Sequence, residues 1–173
     1  MGLQVGDIIF LDSGSKFNKL TQIISSFKFG HVGLVVEGQQ VVDIKAGQVM
    51  KLIPISELKV KSFVVMRALY PLTEKQTARI PEYTERVLVT APKYDYLALV
   101  RLAMKYLGFK TSRKSYDIER LYCSEFVDYI YTKIGIDLLS EQSSLVGIDD
   151  LYFSQKLKTI AEGSSLEELE SIV

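Results

Sequence analysis

The 173-residue chain has one cysteine, Cys123, one histidine, His31, no tryptophan and four prolines. A lone cysteine excludes an intrachain disulfide, and with it the small secreted folds that depend on such staples. Together with a lone histidine it also excludes zinc sites built from several thiolates or imidazoles. No metal or other cofactor is called for. Charge of one sign is missing too: 21 Lys and Arg balance 21 Asp and Glu. The chain therefore carries no general field for nucleic acid or for an anionic membrane, although a local patch is compatible with this balance. No apolar run approaches the ~20 residues that span a bilayer, so no integral membrane segment is expected. Met1–Gly6 is too short and uncharged for a signal peptide, and Gly6 stands where a myristoylation site takes Ser or Thr. The default expectation is a soluble cytoplasmic protein. Release by a lysis system or a phage particle would be needed for work outside the cell.

What is present reads as a single α+β domain over residues 1–173, with an acidic tail at 162–173 that forms a short helix or frays. Hydrophobic residues make up 47% of the chain, enough for a packed core. The first half is rich in strands. Residues 7–11, 31–36, 40–44, 49–53 and 62–67 are short apolar runs bounded by Gly, Pro or polar residues, giving an antiparallel sheet of about four or five strands. Between the first two, Phe17, Leu20, Ile23 and Ile24 repeat with the helical period. The second half is helical. Thr73 is a helix cap, Pro81 starts a new helix or kinks the old one, and Leu97, Val100, Met104 and Leu107 share one face. A further apolar-periodic segment, 121–134, stops at Gly135.

Two residues are placed for chemistry. From Cys123, the residues Phe126, Val127, Ile130 and Ile134 fall at +3, +4, +7 and +11, so the thiol lies on the buried stripe of its helix. Taken alone, that is the pattern of a packed core cysteine. His31 opens a strand, where a lone histidine usually serves a structural hydrogen bond. Together they read differently. A thiol with an ordinary pKa of ~8.5 becomes a nucleophile beside a base or a helix N-terminus. Histidine is the natural base, with a third polar group to fix its tautomer. Asp43 stands twelve residues beyond His31 in an otherwise apolar strand, Val41-Val42-Asp43-Ile44.

The order histidine, acid, cysteine, with strands before the nucleophile helix, resembles the circularly permuted branch of the NlpC-type, papain-like cysteine hydrolases (the YiiX/YebB-like group). Gly6-Asp7-Ile8-Ile9-Phe10 is similar to the opening strand of that family, and Gly30-His31-Val32-Gly33-Leu34-Val35 to its histidine strand. Tyr94-Asp95-Tyr96 resembles a helix entry. Tyr122-Cys123-Ser124-Glu125-Phe126-Val127 resembles the nucleophile motif, and Asp149-Asp150-Leu151 with Ser154 the closing segment. Asp43 departs from the usual Glu, and Ala91-Pro92-Lys93 replaces a common Gly. The resemblance implies a permuted papain-like fold with Cys123 as nucleophile, His31 as base and then acid, and Asp43 as orienter. It implies acyl transfer from an amide or ester of a small peptide-like, cell-wall-like or acyl substrate. A lipid acyltransferase or thioesterase, or a binding module that turns nothing over, are the alternatives. Tyr94, Tyr96, Tyr116 and Tyr122 lie near the two helix entries and are candidates for the walls of a substrate cleft. The sequence assigns no oligomeric state.

Two local expectations bear on the site. Asp43 reaches His31 only if the hairpin places both on one sheet face, which requires a three-residue loop 37–39 or a bulge of the same parity. A catalytic Cys123 also requires an irregular stretch through residues 117–121 and a helix start near Tyr122, instead of a helix running on from Ile118.

Overall fold

The structure, a computed structural model, describes residues 2–44, 48–90, 93–94, 96–109, 116–139 and 145–172. Its centre is a six-stranded antiparallel sheet. The strands are β1 (Ile8–Asp12), β2 (His31–Glu37), β3 (Gln40–Asp43), β4 (Lys51–Pro54), β5 (Ser62–Ala68) and, from the end of the chain, Leu157–Gly163. Numbered in chain order after two short strands, β6 (Lys93–Tyr94) and β7 (Arg120–Leu121), that last strand is β8, and the order across the sheet is β4-β3-β2-β1-β5-β8. The sixth strand exceeds the expected four or five. Its outward residues Lys158, Thr159 and Glu162 are exposed, and a register shift interrupts its pairing with β5, so no clean alternation marks it in the sequence.

Alternation sorts the sheet into two faces. Ile8, Phe10, Val32, Leu34, Val42, Val64 and Met66 pack with the helices in the larger core, which includes Phe126, Val127, Ile130 and Tyr131. Ile9, Leu11, Val35, Val41, Phe63 and Val65 form a smaller core on the other face, closed by Leu58 and the fully buried Leu169. Leu169 belongs to α6 (Leu166–Glu170), a short helix in the acidic tail capped by Ser165. Each other helix has a local cause. Ser15 caps α1 (Lys16–Ser25), accepting from the Asn18 N–H, and Thr73 and Gln76 make a reciprocal capping box for α2 (Glu74–Val89). α2 runs through Pro81 as one helix instead of restarting there. α3 spans Tyr96–Tyr106, so Tyr94 falls in β6 and not in the helix. α4 (Cys123–Lys133) ends at Gly135, whose φ of +82° allows the Ile136 N–H to reach back to the Tyr131 carbonyl. α5 (Ile148–Tyr152) completes the set.

Two apolar stripes depart from expectation. On α1, Asn18 and Thr21 are buried, while Leu20 and Ile23 face solvent. On α3, Leu102 is buried, and Leu97, Val100 and Met104 are exposed, as is Leu107 just past its end. The helical period is there in both; the side turned inward is the other one. The Asn18 amide donates to the Leu11 carbonyl, and the Lys105 ammonium donates to the Leu145 carbonyl and pairs with Asp150, so polar groups hold each helix to the body.

Candidate active site

The hairpin β2–β3 sets the first half of the site. Its turn is the short one, with Glu37 opposite Gln40 across Gly38-Gln39, but a bulge at Val36 shifts the register to Val35 opposite Val41 and Leu34 opposite Val42. Continued by one residue, this puts Asp43 opposite Gly33 and diagonal to His31 on the same face. That is the parity a triad needs, reached by the bulge and not by a three-residue loop. Gly33 is required in its place, because a Cβ there would lie 2.7 Å from a Val41 methyl. The result is a bond of 2.8 Å between His31 Nε2 and Asp43 Oδ1. Asp43 is 1% exposed and the His31 side chain 16%. This register brings the two strands' side chains close enough for the short aspartate side chain to reach the imidazole.

The second half comes from the entry to α4. Asp117 does not start a helix. Its carboxylate accepts from the Glu119 N–H and its carbonyl from the Arg120 N–H, turning the chain into β7. β7 pairs in parallel with β6, Tyr94 beside Leu121, and α4 begins one residue after Tyr122. Cys123 is thus the first residue of its helix, 7% exposed, and no side-chain cap engages the helix start. The thiol sits where unbonded backbone N–H groups concentrate partial positive charge.

Cys123 and His31 meet across the two halves. The imidazole interacts with the Cys123 thiol as well as bonding to Asp43. With Nε2 given to Asp43, Nδ1 is the ring nitrogen left for sulfur. Burial lowers the His31 pKa, but the bonds to Asp43 and Cys123 and the charge on both partners outweigh it, pushing the value up from 6.5 to about 10. The ring holds its proton through neutral pH. A cleft of about 350 Å³ opens beside His31 and Asp43, lined also by Asn18, Ser13, Gln48 and Lys59; Cys123 is not part of its lining. A larger cleft of about 540 Å³, between Leu69, Tyr70, Leu138 and Phe153, includes none of the three residues.

The tyrosines are dispersed. Tyr122 is buried, and its hydroxyl accepts from the Val146 N–H, while the Ser124 hydroxyl donates to the Val146 carbonyl. Tyr122 thereby anchors the segment before α5 to the start of α4; it does not line an open cleft. Burial, with the charge of Glu125, raises its pKa well above the usual value. Tyr116 donates to Asp128 and stacks edge-on against Tyr129 in the middle of α4, away from the thiol end. For Tyr94 and Tyr96 the structure places the backbone, in β6 and at the head of α3; their side chains lie outside the described residues. Asn18 is the residue that sequence reading missed. It is buried beside the cleft, and a Cβ on Gly30 would lie 2.3 Å from its carbonyl oxygen. A polar residue on the inward side of an apolar-looking helix was the available signal.

A sequence profile described as the permuted papain-like amidase enzyme, YaeF/YiiX, C92 family, matches residues 2–150. The chain belongs to this amidase family. It is a cysteine hydrolase with a permuted papain-like fold. No curated protein matches it. Among solved structures it is similar to that titled metalloprotein yiiX from Escherichia coli O157:H7, with a TM-score of 0.61 and 21% identity, covering 95% of this chain and 100% of that one. Among the described residues of this C92-family chain, no three His, Cys, Asp or Glu side chains are grouped to share a metal ion.

Proposed function

We propose that this chain hydrolyses an amide bond in a peptide-like or cell-wall-like substrate through an acyl-enzyme on Cys123. The observation that supports the reading is the placement of His31, bonded to Asp43 at 2.8 Å and interacting electrostatically with a thiol at a helix N-terminus. The sulfur attacks the carbonyl carbon, and the developing oxyanion lies against the backbone N–H of Cys123. His31, already carrying the proton from sulfur, gives it to the leaving nitrogen as the C–N bond breaks. The amine departs and leaves a thioester. His31 then takes a proton from water, the resulting hydroxide attacks the thioester, and the proton returns to sulfur as the acid is released. Asp43 holds the ring by its Nε2–H throughout and touches no reacting atom.

The test is iodoacetamide reactivity of Cys123, the sole thiol, with and without His31. Fast alkylation of the folded protein at neutral pH and a large loss of rate in His31→Ala are expected. A thiol that reacts only on unfolding would leave a core cysteine and remove the hydrolase site. Mass spectrometry of a trapped acyl adduct on Cys123 then reads the acyl group directly.

A further inference from the structure

The exposed sides of α1 and α3 form an amphiphilic surface that the hydrolase reading does not use. The two helices touch each other. α1 presents Leu20 and Ile23, the latter 75% exposed, and α3 presents Leu97, Val100 and Met104, followed directly by Leu107, 76% exposed, and by Phe109. Isolated exposed apolar residues are ordinary; seven gathered on two neighbouring helices and just past the end of one are not. Charge singles out the same region. The chain as a whole is neutral, yet residues 13–36 and 96–116 contain no Asp or Glu at all. Lys16, Lys19 and Arg101 are exposed on the two helices beside the apolar side chains. Helices that combine an apolar face with flanking cations and no carboxylates suit the interface of an anionic bilayer, where the apolar side chains enter the acyl boundary and the cations meet lipid phosphates.

We propose that α1 and α3 together dock this protein onto an anionic lipid bilayer. The proposal is peripheral binding: among the described residues no helix is long and apolar enough to cross a membrane. Both helices are tethered beside the candidate site. α1 packs Asn18 over Gly30, next to His31, and α3 follows β6, which pairs with Leu121 two residues before Cys123. Docking therefore holds the two sides of the site to the bilayer without drawing on any of its three residues.

The experiment is flotation of the purified protein with vesicles of phosphatidylcholine alone and with added phosphatidylglycerol. Binding at least tenfold stronger to the anionic vesicles is expected, falling with salt. The pair Leu97→Asp and Leu107→Asp should weaken it at least tenfold. Lys16→Gln, Lys19→Gln and Arg101→Gln should each weaken it about fivefold. Because all five positions are exposed, the variants should keep the wild-type melting temperature and Cys123 alkylation rate, which separates lost docking from lost fold. Wild-type protein that stays behind from anionic vesicles, or folded variants that float as well as wild type, overturns the proposal. So does a dimer that binds no vesicle and is dispersed by the apolar substitutions, since the face would then belong to a second copy of the chain.

Discussion

At the residue scale the decisive group is His31, and its titration has a definite sign. An unfolded histidine has a pKa of ~6.5, while the folded value is raised to about 10. The folded state therefore holds the proton more tightly. Its contribution to stability is complete below pH ~6.5 and is lost as pH rises through about 10. Urea unfolding of wild type and His31→Gln across this range should show their difference in stability shrinking steadily toward alkaline pH. A difference that stays constant from pH 6 to 10 would mean the ring is not held as the imidazolium. Cys123 and His31 were legible in the sequence because each is the sole residue of its kind. Asp43 stood out as a carboxylate in an otherwise apolar strand, although a solvent-facing side chain would have fitted the same pattern. For Tyr122 the cue of proximity to a helix entry does not say whether the phenol opens on a cleft: its hydroxyl is consumed by the Val146 N–H.

At the scale of elements, two places carry the geometry. One is the bulge at Val36, whose parity was predictable although its form was not: the apolar alternation requires Val35 and Val41 to face one core and Leu34 and Val42 the other. The second is the crossing of α1 over the start of β2 at Gly30, where the backbone of Asn18 leaves no room for a Cβ. Gly30→Ala should push α1 and the head of β2 apart and move His31 relative to Cys123. A displacement near 1 Å slows a positioned reaction about a hundredfold, so alkylation of Cys123 should fall by roughly that factor while circular dichroism stays native. Alkylation at the wild-type rate would show that α1 does not position His31. Which side of α1 and of α3 turns inward could not be read from periodicity, because the inward contacts are made by Asn18, Lys105 and backbone carbonyls.

At the scale of the molecule, long-range ties close the fold. The Asp7 carboxylate, fully buried, accepts two bonds of 2.7 Å from Arg67 and a third from the Gln4 N–H. The Tyr131 hydroxyl donates to the Gly6 carbonyl at 2.6 Å, pinning α4 to the start of β1. Gly6 takes a φ of +93°, and a Cβ there would strike Leu72, which accounts for the Gly6-Asp7 opening that the sequence displayed without explaining. The ties from Arg67 and Tyr131 join residues far apart in the chain and are therefore invisible to pattern reading. One more of them joins Leu3 to Ile172 by a backbone bond of 2.8 Å.

That last bond makes the linear order of the polypeptide a matter of where it is cut. A few glycines and serines would bridge Leu3 and Ile172 without strain, and new ends could be opened between α3 and β7. The chain would then begin just ahead of Cys123 and deliver His31 and Asp43 later, reversing their order of synthesis while every contact across the sheet is kept. Such a rearranged protein should fold and show the wild-type alkylation rate at Cys123. If it folds but its thiol is unreactive, continuity between α3 and β7 is itself part of what holds the site.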